Sequence, residues 1–364
     1  MKLPSSSPRP GAAAPSGNAP LSEAQPRANP SSASAPSPRV PVTTSPGGRV
    51  TAGVLGGSGY TGREVTRLLD GHAGVDLVFT TSRSEAGNPS SARTLAFSQP
   101  DEGAVLEVDV VFLCLPHGEA AAWADRIVGH GPRVIDLTAD HRPGSGREDG
   151  AVYGLNEWNR EAVADAQLVA NPGCYPTGVL LSLLPLHEAG ILDPDRLIVV
   201  NASSGVTGAG RVPRADLLFA EVSGDFRAYA WGNRHRHLLE MRALLPGVDL
   251  LFQPHLLPVP RGILETMVLP VRDGVDAGEV RRIWASRYEF EPAVLPLEDR
   301  LPALSDVVGT DGLALGVTDV ADTREPAVMA GAALDNLGKG AAGQAVQNMN
   351  AIFGWPTERG IRCP

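Results

Sequence analysis

Val50-Thr51-Ala52-Gly53-Val54-Leu55-Gly56-Gly57-Ser58-Gly59-Tyr60-Thr61-Gly62 decides how this chain folds. A short apolar run reads as a buried strand, a Gly57-x-Gly59-x-x-Gly62 turn follows, and Val65, Leu68 and Leu69 continue at helical spacing. A strand that turns through glycines into a helix lets backbone N–H groups and the helix dipole meet a pyrophosphate. Gly56, Gly57, Ser58, Gly59, Tyr60, Thr61 and Gly62 are therefore expected to bind a dinucleotide.

Further along, Val75–Thr80, Val108–Leu115 and Val134–Leu137 repeat the strand signal, with a helical stretch at Ala120–Val128. That alternation predicts an α/β fold with a parallel sheet and crossover helices. The second strand runs into Thr81-Ser82-Arg83-Ser84 rather than into the carboxylate usual for NAD. Ser82 and Arg83 suit a 2′-phosphate, so NADP is the expected cofactor.

Beyond Asn171-Pro172-Gly173-Cys174-Tyr175-Pro176-Thr177-Gly178 the pattern changes to an apolar helix, Val179–Leu186, and then Leu197–Val200, Leu250–Phe252 and Thr266–Val271 as strands of a second sheet. Pro176 fits a first helical turn, which puts Cys174 at a helix N-terminus, where the dipole favours thiolate over thiol. Cys114, inside an apolar run, reads as a small buried hydrophobe. Proton transfer beside the thiol points to Asn233-Arg234-His235-Arg236-His237-Leu238-Leu239-Glu240, in which Glu240 is placed three residues from His237 to orient it. His117, His141 and His255 are weaker candidates. The Gly205–Arg211 loop and Asp140-His141-Arg142 offer anion cradles, through Arg211 and Arg142. Asn336–Phe353 reads as a small-residue helix returning to the first domain.

The net charge of −10 argues against a nucleic-acid surface. No stretch has the roughly 18–20 consecutive apolar residues of a membrane span. Three scattered cysteines suggest a reducing compartment and no metal site. Residues 1–48 are rich in Pro, Ser and Ala, without apolar periodicity, and read as a disordered tail; an organellar transit peptide is the alternative to a cytoplasmic location.

Taken together, GVLGGSGYTGREV from Gly53, TSRSEAG from Thr81, NPGCYPTG from Asn171, GVTGAGR from Gly205, HRHLLE from His235, QPHLLPVPRGILET from Gln253 and NLGKGAAGQAVQNMN from Asn336 resemble the N-acetyl-gamma-glutamyl-phosphate reductase family, within the aspartate-semialdehyde dehydrogenase superfamily. The resemblance covers about residues 50–362. It implies a Rossmann-type dinucleotide-binding domain (49–172 with 336–364) plus an α+β catalytic and dimerisation domain with a mixed sheet (173–335). It also implies an acyl-phosphate substrate, release of phosphate, a thioester on Cys174, and a homodimer or homotetramer. By the same resemblance His235 and His237 hold the acid/base position, Arg142 lies on substrate, and residues 336–348, Asn336 among them, line the cofactor. A reductase for the one-carbon-longer aminoadipyl phosphate, or a non-catalytic NADP-binding regulator, remain as alternatives. Two departures stand out: a stretch of only Pro143–Val152 before Tyr153-Gly154-Leu155, where family members carry a longer one, and Leu239 where proline is common.

Overall fold

The computed structural model describes residues 48–364, so the segment 1–48, with its tail and transit-peptide readings, lies outside the described residues except for Gly48. β1 (Val50–Leu55) enters the glycine turn and α1 (Tyr60–Gly71) leaves it. β2 (Val75–Thr80), α2 (Glu102–Leu106), β3 (Val110–Leu113), α3 (Ala120–Ile127), β4 (Arg133–Asp136), β5 (Val152–Tyr153), α4 (Asn156–Asp165) and β6 (Leu168–Ala170) complete the first half. All six strands are parallel, in the order β2-β1-β3-β4-β6-β5. The chain leaves β1 toward β2 on one side and returns to β3 on the other, which opens a crevice at the carboxyl ends of β1 and β3.

The second half begins with α5 (Cys174–Glu188) and β7 (Ile198–Gly205). A short α6 (Phe219–Val222), β8 (Arg227–Ala228), α7 (His237–Leu244), β9 (Leu250–Leu257) and β10 (Ile263–Pro270) follow. The half closes with α8 (Ala277–Arg287), β11 (Val294–Pro296), β12 (Leu313–Asp319) and β13 (Ala327–Leu334). Its seven-stranded sheet has the order β11-β12-β13-β10-β7-β9-β8. β7 and β9 are parallel and β10 is antiparallel to both neighbours, so the sheet is mixed.

α5 is apolar on every face and is buried from Tyr175 to Leu186, which is why it shows no amphipathic stripe. It starts at Cys174, five residues earlier than the apolar run suggests, because Pro176 occupies the first turn and the Thr177 hydroxyl donates to the Gly173 carbonyl at 2.9 Å. β7 and β9 outrun their apolar stretches through Asn201, Ser203, Gln253 and His255, since each pairs along its length with neighbours that take up its backbone groups. After β13 the chain makes a π-turn (Gly338–Ala342) and enters α9 (Gly343–Ile352). Ala342, Ala345, Val346 and Met349 then pack with Val50, Val54 and Val65 in the core of the first sheet.

Candidate active site

A cleft of about 1170 Å³ lies off the carboxyl ends of the parallel strands. The loops after β1 (Gly56 and Ser58 to Gly62), β3 (Cys114–His117) and β4 (Leu137, Arg142) and the start of α5 line it. Thr207–Arg211, Tyr229 and Arg234–His237 from the second half line it too.

The glycine loop fits a dinucleotide. Gly56 has φ +85°, and a Cβ at Gly62 would collide with the Gly56 carbonyl oxygen, so α1 starts as close to β1 as backbone allows. A Cβ at Gly59 would find only the Gly56 oxygen, at 3.8 Å, which leaves room for a pyrophosphate. The Ser82 hydroxyl donates to the Ser58 hydroxyl at 2.9 Å and braces the loop. Arg83 is a correction: its guanidinium is exposed, pairs with Glu119 at 2.9 Å, and is not among the residues lining the cleft. A carboxylate also stands nearby after all. Glu85 is gripped by Arg63 and Arg211, which hold its carboxyl below the usual range, the Arg211 hydrogen bond contributing most. Arg211 donates to the Ser58 carbonyl as well, so it binds the cofactor loop instead of serving as a free phosphate ligand.

Cys174 opens α5 with Gly173 as its N-cap. Burial pushes the thiol up to about 11; the Arg142 charge and a hydrogen bond from the Tyr175 N–H pull the other way and do not win. The direction runs against the expected thiolate: a helix terminus contributes at most about 2 kcal/mol at a partly buried site, and desolvation of the charged form outweighs it here. Cys114, expected as a buried hydrophobe, is only partly buried and lines the cleft; desolvation and the Asp136 charge push its thiol higher still. His237 stands against Gly173, next to Cys174 in the chain, where a Cβ on Gly173 would come within 2.7 Å of its Nε2. Burial, followed by the charge of Arg142, drives its pKa well below 6.5. Its Nδ1 is buried without a hydrogen-bond partner among the described residues. His235 falls to about 4, chiefly through burial, and its Nδ1 accepts from the His237 N–H at 3.2 Å. Burial thus favours the neutral form of the thiol and of both imidazoles.

Glu240 has no free oxygen for a substrate, and the structure corrects that assignment. Its Oε2 accepts from the Gly173 N–H and the Tyr153 hydroxyl, both at 2.9 Å, and its Oε1 lies 3.5 Å from Arg142 and 3.9 Å from His237 Nε2. Arg142 lines the cleft, but it also donates to the carbonyls of Asn171 (2.7 Å) and Leu137 (2.9 Å). Both residues lock the cysteine loop to the ends of β4 and β6.

Of the 336–348 stretch, Asn336, Leu337, Gly340 and Ala341 line the cleft. A Cβ at Gly340 would come within 2.9 Å of Cys174 Cβ, so only glycine lets the π-turn close over Cys174. Asn336 is spent on Gly262 N–H (2.8 Å) and the Thr207 hydroxyl (2.9 Å). The remaining polar side chains face inward: Lys339 donates to Glu157 (2.5 Å) and Gln347 (2.6 Å), and Asn348 donates to Gly154 (2.8 Å) and Asn171 (3.1 Å). Motif reading had missed this buried network. The amides Gln344, Gln347, Asn348 and Asn350, set among the small apolar residues of one helix, were the available signal.

Among the weaker histidines, His117 lines the cleft, accepting from the Ala139 N–H. His141 is buried between Asp136 (2.6 Å) and Asp149 (3.5 Å), and His255 stacks on Phe226. The two departures from the family pattern meet in space: a Cβ at Gly144, in the short 143–152 stretch, would lie 2.6 Å from the Leu239 Cβ. Among the described residues, no His/Cys/Asp/Glu cluster has the makings of a metal site, and no helix is long and apolar enough to cross a membrane.

Residues 51–166 match the family described as semialdehyde dehydrogenase, NAD binding domain, and 174–336 match semialdehyde dehydrogenase, dimerisation domain. The chain is 39% identical over 348 residues to an N-acetyl-gamma-glutamyl-phosphate reductase of Saccharophagus degradans, covering 86% of this chain and 99% of that one. It is 40% identical over 346 residues to the enzyme of the same name from Akkermansia muciniphila, covering 86% and 99%. Aspartate semialdehyde dehydrogenase II of Vibrio cholerae shares the fold, with a TM-score of 0.69 at 20% identity over 84% of this chain and 98% of that one. The NADP-bound aspartate semialdehyde dehydrogenase of Candida albicans does so with a TM-score of 0.65 at 19% identity, over 84% and 98%. With a cysteine at a helix start, two histidines behind it and a glycine loop across one cleft, and with identity at this level along nearly the whole of its relatives, the chain belongs to the N-acetyl-gamma-glutamyl-phosphate reductase family.

Proposed function

We propose that this enzyme reduces N-acetyl-gamma-glutamyl phosphate to N-acetyl-glutamate 5-semialdehyde with NADPH and releases phosphate, a step of arginine biosynthesis. The observation that carries the reading is Cys174, at the start of a buried helix, facing the same cleft as the glycine loop with His237 behind it. Gly56–Gly62, Ser82 and the π-turn residues would hold NADPH, which supplies a hydride to the carbonyl carbon bound at Cys174.

The protein's own steps follow from two neutral partners. His237 takes the Cys174 proton as the sulfur attacks the acyl carbon; the C–S bond forms, the C–O bond to phosphate breaks, and a thioester remains. The imidazolium so formed lies beside Glu240 and donates to the oxyanion that hydride addition creates. Removal of that proton by the same imidazole lets the aldehyde form and the thiolate leave, regaining its proton. His235 packs against the His237 ring, with centroids 4.7 Å apart, and its own ring is held by the hydrogen bond from the His237 backbone N–H.

A homodimer or homotetramer is part of the same reading. It is supported by the matched dimerisation domain and by Phe219, Phe226 and Trp231, which are 85%, 55% and 67% exposed around the edge strand β8. We place the enzyme in the cytoplasm, consistent with three free cysteines.

The test is the initial rate of NADP reduction with N-acetyl-glutamate semialdehyde and phosphate, set against NAD and against the one-carbon-longer aminoadipyl homologue. Preference for the shorter aldehyde and NADP is expected. Preference for the longer one would move the enzyme to the lysine pathway with its chemistry intact.

A further inference from the structure

Six arginines line the cleft: Arg142, Arg211, Arg214, Arg227, Arg234 and Arg236. Four of them are already engaged. Arg142 holds the Asn171 and Leu137 carbonyls and Glu240, and Arg211 holds Ser58 and Glu85. Arg214 pairs with Asp216 at 2.6 Å, and Arg227 pairs with Asp225 at 2.6 Å and bonds the Asp216 and Glu221 carbonyls. Only Arg234 and Arg236 reach the cleft with guanidinium groups that have no hydrogen-bond or ion-pair partner among the described residues.

Their position is as telling as their freedom. Arg236 lies between His235 and His237 and is close enough to Cys174 for the two groups to feel each other's charge. Asn233 anchors the turn before it: in a left-handed conformation (φ 63°), its side chain donates to the Leu250 carbonyl at 2.8 Å and accepts from the Phe252 N–H at 2.7 Å. A cation on an anchored turn, beside Cys174 and in no ion pair among the described residues, is pre-organised for an anion that arrives with the substrate.

We propose that Arg236 holds the phosphoryl group as it leaves the acyl carbon at Cys174, while Arg234 takes the carboxylate at the other end of the substrate. The assignment rests on the acyl-phosphate reading above and moves the phosphate site away from Arg142 and Arg211. In the reverse direction a phosphate oxygen held by Arg236 attacks the thioester carbon, the C–O bond forms, the C–S bond breaks, and the sulfur leaves with the electron pair. Arg236 also depresses both neighbouring imidazoles. A bound phosphate dianion offsets that charge and makes His237 a better base when substrate is present.

The experiment is the initial rate of NADP reduction with the semialdehyde at varied phosphate, for wild type, R236Q, R236K and R234Q. R236Q is expected to raise the phosphate KM at least about tenfold, the cost of one charge-assisted hydrogen bond, with the aldehyde and NADP KM values within about twofold. R236K should recover part of the loss, and R234Q should raise the aldehyde KM instead. An active R236Q with wild-type phosphate KM overturns the proposal. A wild-type enzyme that turns over neither aldehyde overturns the acyl-phosphate reading itself, and the phosphate site with it. Should R236Q fail to fold, phenylglyoxal labelling of wild type reads the same contact by peptide mapping: protection of Arg236 by phosphate supports the assignment, and equal labelling with and without phosphate overturns it.

Discussion

Residues 50–62 build the cofactor wall of the cleft from one contiguous stretch of strand, turn and helix start. The Cys174 wall is assembled instead from Leu137 and Arg142, Tyr153, Asn171–Cys174, His235–Glu240 and Asp335–Ala341, distant segments joined by buried polar contacts that span as many as 170 residues. A contiguous wall fails locally, by a clash or a lost cap. A distributed wall fails through its partners, because each buried polar group left alone costs more than its hydrogen bond contributed.

The largest effect should come from the centre of the distributed wall. Cys174→Ala is expected to lower turnover by at least about a thousandfold while NADPH binding, followed by fluorescence, persists. Residual phosphate-dependent turnover near the wild-type rate would remove the thioester from the mechanism.

Titration of the same thiol gives the next effect. With its pKa raised to about 11, the thiolate fraction rises tenfold per pH unit below that value, so iodoacetamide labelling of Cys174 should speed up about a hundredfold from pH 7 to pH 9. Labelling that levels off below pH 9 would mean a resting thiolate and would restore the helix-terminus argument.

Glu240→Ala strips the acceptor from the Gly173 N–H, the Tyr153 hydroxyl and Arg142 together. A loss of about 3–5 kcal/mol in urea unfolding is expected, with a fall in kcat of about tenfold or more. A variant with unchanged stability would show that the distributed wall does not depend on its buried polar partners.

On the contiguous wall, Gly62→Ala forces a methyl group against the Gly56 carbonyl and should raise the NADP KM by about tenfold, with kcat at saturating cofactor nearly unchanged. Arg83→Ala is expected to change the NADP KM by less than about twofold, since the side chain is exposed and paired with Glu119. A tenfold effect there would mean that cofactor binding draws Arg83 from the surface onto the 2′-phosphate.

Local chemistry made the cofactor loop, the start of α5 and the histidine segment legible before any coordinates. Their signals are short-range: glycines where a Cβ would collide, proline in a first turn, and charged residues a turn apart on a helix. The apolar runs of β1 and β2 were legible for the same reason. β13 was not, because Ala327–Leu334 is a run of small residues that forms a strand only through pairing with β10 and β12. Sequence by itself therefore determined the parallel sheet and the place of Cys174 at the start of a helix. Tertiary structure alone decided which charges are spent. Arg83 and Arg211 are drawn to Glu119 and Glu85, Glu240 to Gly173 and Tyr153, and Arg236 is left unpaired among the described residues, because ion pairing and burial depend on distances across segments that no local pattern records.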